Sequence, residues 1–323
     1  MTMLIRAVAV AALSLPRRNR GGADRLGHAG ALSGRQFPHP KRRAIRRRYR
    51  QGDRRIAEDQ DPFCGFAVQA SRNQARGASG TAPIGEILQS LAANESPVYA
   101  SDSLPFLATG YDAAKKLYDV QKPYLQKQLE SEGLMLLYSV PWPPQGLYAK
   151  RELNSINDLK GLKFRTYNPT IGRIASLAGA IPTQIEVPDL PTAFATGRVD
   201  VMITSASTGV DTKAQDYLTH YIDTQAWLPR NIVFVNKAAF DKLKPDEQKA
   251  VLEAAKAAEE RGWKLSQEEM TIKTQALKDA KIIVMAPSAD LKAGLTKIGE
   301  TIAAEWAAKA GPEGQKMLED FKK

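Results

Sequence analysis

The run KRRAIRRRYRQGDRR, from Lys41 to Arg55, has the residue types and density that hold phosphate. Closely spaced cationic side chains displace the counterions of a polyanion, so taken alone this run is a nucleic-acid footprint. Other chemistry is scarce. Cys64 is the only cysteine, which excludes an internal disulfide and a cysteine-based metal cluster. Three histidines, His28, His39 and His220, argue against a His-rich metal site. Neither a GxGxxG after a strand nor a GxxxxGK(S/T) occurs, so nucleotide binding has no motif behind it. No nucleophile–base constellation can be named either, which leaves an enzyme without a mechanism.

The positions of the charges qualify the first impression. Across 323 residues, enough for two domains, the formal net charge is +11. Residues 1–80 hold 17 Lys and Arg against 5 Asp and Glu, whereas residues 81–323 hold 29 against 30. Arginine usage switches at the same point, from 16 Arg and 1 Lys to 6 Arg and 23 Lys. At the start, Arg6 precedes the apolar run AVAVAALSL, Ala7 to Leu15, which has the length of a signal-peptide core and is too short to span a bilayer. Where a cleavage site should follow, the chain reads PRRNRGG.

Residues 16–81 carry no helix or strand period. A basic arm and a plain unfolded tail are two readings of such a composition. The reading adopted is a shifted frame in a GC-rich gene, lost after about Leu15 and regained near Thr81. Arginine codons of the CGN type, read one base later, begin with G and become Gly, Ala, Val, Asp or Glu. One constant offset then permits a helical pattern, an alternating strand (LKIKIH) and a second helix. On this reading 1–15 is the start of a signal peptide and 16–81 has no fold of its own.

From APIGEILQSLAANES onward the chain reads as a globular α/β protein. Asp112 to Gly133 is amphipathic at helical spacing and closes on glycine. LMLLYSV reads as a buried strand. A helical turn in NSINDL precedes a strand at Leu162 to Tyr167, PTIGRIASLAG is a helix and AIPTQI a strand. PDLPTAFATG forms a short helix closed by Gly197, before the strand VDVMITSA. A very long helix follows, with Pro245 and early acids at its start. KIIVM is a late strand, and Ser288 caps a closing helix through Ala308. The alternation predicts an α/β architecture with largely parallel pairing.

The segments DLKGLKFR, LAGAIPTQI and TAFATGRVDVMI, in that order and spacing, resemble solute-binding proteins of the tripartite ATP-independent periplasmic (TRAP) transporters. The likeness covers about 82–323, with DSLPFL and the long helix in support. It implies a two-lobed, periplasmic-binding-protein-like α/β fold with an interlobe cleft and a long spanning helix. The lobes would be 82–142 plus about 228–270, and 143–227 plus about 280–323, the N-terminal lobe incomplete through the shifted frame. It also implies a non-catalytic periplasmic protein without cofactor, metal or nucleic acid, which hands a small organic acid to membrane permease subunits. A nucleic-acid binder with a basic arm stays as the alternative, resting on 16–81 alone.

Site residues follow from the resemblance. Arg165 matches the arginine that clamps a ligand carboxylate, where a planar fork gives two parallel charge-assisted bonds that lysine cannot copy. Gln145 stands where many members carry a second arginine, and Thr204 where relatives often place an asparagine. Trp142, Tyr148 and Trp227 flank the expected crossings between lobes, although aromatics are more often core. Asn168 lies near Arg165 at the start of a helix, where a cap is the plainer role, and Glu86 faces the cleft from the first lobe. His220 is expected at the surface or in packing.

Overall fold

Alternating apolar runs and glycine-closed helices become, in this computed structural model, an α/β fold of two lobes; residues 83–323 are described. The signal start, the shifted frame and the expected lack of a fold in 16–81 lie outside the described residues. The strands are β1 (Ile84–Leu88), β2 (Leu134–Pro141), β3 (Gln145–Ala149), β4 (Lys163–Thr166), β5 (Ile181–Gln184), β6 (Val201–Ser205), β7 (His220–Ile222), β8 (Arg230–Asn236) and β9 (Ile283–Met285). The helices are α1 (Tyr111–Ser131), α2 (Pro169–Leu177), α3 (Leu190–Ala195), α4 (Ala206–Asp211), α5 (Lys237–Asp241), α6 (Pro245–Asp279) and α7 (Ala289–Lys322).

The first lobe carries a three-stranded sheet of order β1-β8-β2 among the described residues, and the second a six-stranded sheet of order β5-β4-β6-β3-β7-β9. The chain leaves the first sheet after β2 and enters the second at β3, then returns between β7 and β8. These crossings correct the expectation of largely parallel pairing. β8 runs antiparallel to β1 and β2, and β3 antiparallel to β6 and β7, because each is the strand on which the chain changes sheet. Among the described residues only β4–β5, β4–β6 and β7–β9 are parallel.

Among the described residues three apolar clusters hold the layers. Ile87, Leu134, Leu136, Ile232 and Phe234 pack the first sheet against Leu125 and Leu129 of α1. Phe164, Leu147, Val201 and Ile203 cover one face of the second sheet, with Ile171 and Ile174 of α2 and Leu295 and Ile302 of α7. Tyr148, Met202 and Tyr221 cover the other face, with Phe194 and Leu277. Burying such side chains contributes roughly 1.5–3 kcal/mol each.

Helix α6 spans both lobes. Near its middle Trp263 Nε1 donates to Ser139 O of β2 (3.0 Å) and Glu259 accepts from Ser139 N (3.0 Å). Towards its end Lys273 pairs with Asp211 of α4 (2.8 Å). Ser288 caps α7 as expected, its Oγ accepting from Leu291 N (3.1 Å). The helix runs past Ala308 to Lys322, broken at Gly311 (φ 67°) just before Pro312. α7 also reaches the first lobe, where Trp306 Nε1 donates to Pro97 O (2.7 Å).

Candidate functional site

Alternation along β4 sends Phe164 into the core and sets Arg165 level with Met202 on the opposite face. Arg165 is only 1% exposed. Its Nε donates to Ile185 O (2.8 Å), and its guanidinium carbon lies 4.6 Å from the centre of the Tyr167 ring. Among the described residues no carboxylate forms an ion pair with it. Burial brings its pKa down to about 10, against the opposing pull of Tyr167 and Glu186. A buried cation without an acid partner is unfavourable, and an anionic group beside it relieves the penalty.

Tyr167 extends the arrangement towards the crossings. Its hydroxyl donates to Gln145 Oε1 (3.1 Å), and Gln145 Nε2 donates to Pro143 O (3.0 Å). Gln145 N donates to Trp227 O (3.0 Å) and Gln145 O accepts from Ala226 N (2.9 Å), so the outgoing and returning crossings meet at this residue. The Trp227 ring is buried beside the Tyr167 hydroxyl, and its Nε1 has no well-formed hydrogen bond among the described residues. Burial holds the Tyr167 phenol above its usual range, so at neutral pH it is a neutral donor.

Asn168 does what a cap does: its Oδ1 accepts from Ile171 N at the start of α2 (2.9 Å). Its Nδ2 also donates to Ser90 Oγ (3.0 Å), which ties the second lobe to the first. Glu86 belongs to a different chain of contacts, in which Trp142 Nε1 donates to Asn231 Oδ1 (2.9 Å) and Asn231 Nδ2 donates to Glu86 Oε1 (2.7 Å). Thr204 pairs with Gly146 across β6–β3, and its hydroxyl makes no hydrogen bond among the described residues. Tyr148 is a core residue, with its ring 4.6 Å from that of Tyr221 and its hydroxyl on Ser205 O (3.1 Å).

The structure therefore gathers Arg165, Gln145 and Trp227 around Tyr167, sets Asn168 next to them in the chain, and places Trp142 and Glu86 in a second group. Sequence reasoning missed Tyr167, Asn231 and Ser90. For Tyr167 a pointer existed, since it follows Arg165 by two residues and alternation returns it to the same side. The chemistry available is one cationic fork for a single carboxylate, with neutral amide and indole groups about it. The other large buried cation, Arg230, donates through Nη2 to Gln121 Oε1 and stacks 4.9 Å from the centre of the Tyr118 ring. No group of three or more metal-ligating side chains occurs among the described residues.

The profile of DctP, the bacterial extracellular solute-binding protein family 7, matches residues 79–309. The chain belongs to this family. Members are binding proteins, so capture rather than catalysis is the frame for the site. The structure of DctP6, an extracytoplasmic solute receptor of Bordetella pertussis binding pyroglutamic acid, is similar at 49% identity, with 78% of this chain and 84% of that chain covered and a TM-score of 0.76. DctP7 of the same organism, also binding pyroglutamic acid, is 38% identical over 79% of this chain and 84% of that one, with a TM-score of 0.76. A curated protein of Haemophilus influenzae is 30% identical over 159 residues, 48% of each chain, so the match spans about half the length of that relative.

Proposed function

We propose that this chain is the extracytoplasmic receptor of a TRAP-type transporter. It encloses a small organic acid between its lobes and hands it to the membrane permease. The acid carries one carboxylate and a neutral polar group, as pyroglutamate does. The observation that carries this reading is Arg165, a fully buried guanidinium that no acid of the described chain neutralises. A bidentate carboxylate supplies the missing charge. Gln145, neutral where a second arginine would favour a second carboxylate, restricts the ligand to one negative group, with Trp227 and Thr204 contributing polar contacts. The 49% identity to a receptor that holds pyroglutamic acid supports the same assignment.

The lobes on this reading are 82–142 with about 228–270 and 143–227 with about 280–323, α6 and α7 bracing both. The native site of action is the periplasm, and the altered stretch after Leu15 disrupts export of the chain as it stands. The frame-restored protein is the form in which to test binding. L-Pyroglutamate at a hundred times its Kd is expected to stabilise that protein by about 2.7 kcal/mol, read as a rise in melting temperature. Succinate and other dicarboxylates are expected to give little or no rise. A dicarboxylate that stabilises as well as pyroglutamate, or a panel of monocarboxylates without effect, contradicts the reading.

A further inference from the structure

Tyr167 touches both the Arg165 guanidinium and the point where the crossings meet. Its ring lies under the Arg165 guanidinium at 4.6 Å, and its hydroxyl donates to Gln145 Oε1 at 3.1 Å. The backbone of Gln145 is bonded to Ala226 and Trp227 of the returning crossing, and Thr224 Oγ1 donates to Gln145 O (3.1 Å). Three residues before Gln145, Trp142 N donates to Pro229 O (2.7 Å) and closes the same pair of segments. Tyr167 also directly precedes Asn168, whose side chain caps α2 and reaches Ser90 of the first lobe.

We propose that Tyr167 is a positioning residue that couples occupancy of Arg165 to the geometry of the crossings, and so to closure of the lobes. This rests on the reading of Arg165 as a carboxylate clamp. The physical argument is that the guanidinium has little else to hold it. Its one hydrogen bond among the described residues runs through Nε, so the aromatic face below sets the plane in which the fork presents itself. A carboxylate that turns or draws on the fork shifts the ring. The ring in turn moves the hydroxyl that holds Gln145, the residue on which both crossings are fastened. Because both partners of the phenol O–H are buried, the link is not replaced by water when it breaks.

The test is a double-mutant cycle in the full-length, frame-restored chain, with the chain as it stands run alongside. Tyr167→Phe keeps the ring under Arg165 and removes only the hydroxyl, and Gln145→Ala removes the partner. Calorimetry with L-pyroglutamate gives the affinity, and small-angle scattering gives the compaction on saturation. Tyr167→Phe is expected to bind roughly three- to tenfold more weakly, the effect of one lost hydrogen bond. The double variant is expected to be no weaker than Gln145→Ala alone, since the two groups act through one contact. Ligand-induced compaction is expected to shrink in all three variants, while the unliganded melting temperature of Tyr167→Phe falls modestly, because the buried Gln145 Oε1 loses its donor.

Tyr167→Leu, which also removes the stack, is expected to lose more affinity than Tyr167→Phe. Losses that multiply in the double variant, or a Tyr167→Phe protein that binds and compacts like the parent, overturn the coupling while leaving the clamp intact. A parent whose binding is unaffected by Arg165→Lys overturns the clamp itself, and the coupling with it.

Discussion

Asp102 and Arg230 show at the residue scale how burial outweighs attraction. Asp102 Oδ2 accepts from Arg230 N (2.8 Å) and Oδ1 from Ser103 Oγ (2.8 Å). Burial still lifts the Asp102 carboxyl above its ordinary range, and burial also lowers the Arg230 guanidinium, although each charge favours the other. The sign for stability follows from the raised carboxyl. The folded state holds the Asp102 proton to higher pH than the unfolded chain does, so this group's contribution is greatest below the unfolded pKa, 3.8, and is lost as pH rises through the folded one. The melting temperature of the parent relative to Asp102→Asn is therefore expected to rise as pH falls from 7 towards 4. A difference that stays constant, or falls, contradicts it. At this scale the sequence disclosed Arg165, because its neighbours form a recognisable run, and Asn168 as a cap. Tyr167, Asn231 and Asp102 stayed hidden because their partners lie 22, 145 and 128 residues away.

Most elements were legible because their periods are local. The glycine-closed α1, the strand-and-cap run through β4 and α2, and the Pro-headed α6 all stand where spacing and end residues put them. β3 and β7 were not separated from loop, since they are five and three residues long and take their definition from neighbours far along the chain. Pairing direction failed for the same reason: an apolar run does not state which way its neighbour points. The packing of α6 on β2 is testable at Gly262, where a Cβ would stand 2.4 Å from Val140 Cγ2. Gly262→Ala thus forces the helix or strand apart and is expected to destabilise the protein by roughly 1–3 kcal/mol, despite the better helix propensity of alanine. Chemical denaturation measures it, and a stabilised variant would show that α6 yields without strain.

The molecule as a whole carries a discontinuity. The family match begins at residue 79, and the arginine-to-lysine switch and the expected recovery of frame fall within two residues of it. We propose that 16–81 replaces a first strand and two helices of the N-terminal lobe. Folded domains are stable by only about 5–15 kcal/mol, and each buried backbone group left unpaired costs about 1–3 kcal/mol. The chain as it stands is therefore expected to melt at lower temperature than its frame-restored counterpart, with little or no stabilisation by ligand. Equal, cooperative melting of the two, raised alike by the same acid, would contradict this.

The central claim is that one buried guanidinium receives the ligand's carboxylate, and calorimetry on Arg165→Lys in the frame-restored protein tests it most directly. Lysine keeps the charge and loses the planar fork. Binding of L-pyroglutamate is expected to weaken by roughly 2–4 kcal/mol with the unliganded melting temperature close to that of the parent. A lysine variant that binds as tightly as the parent would reduce Arg165 to a strand residue and contradict the account.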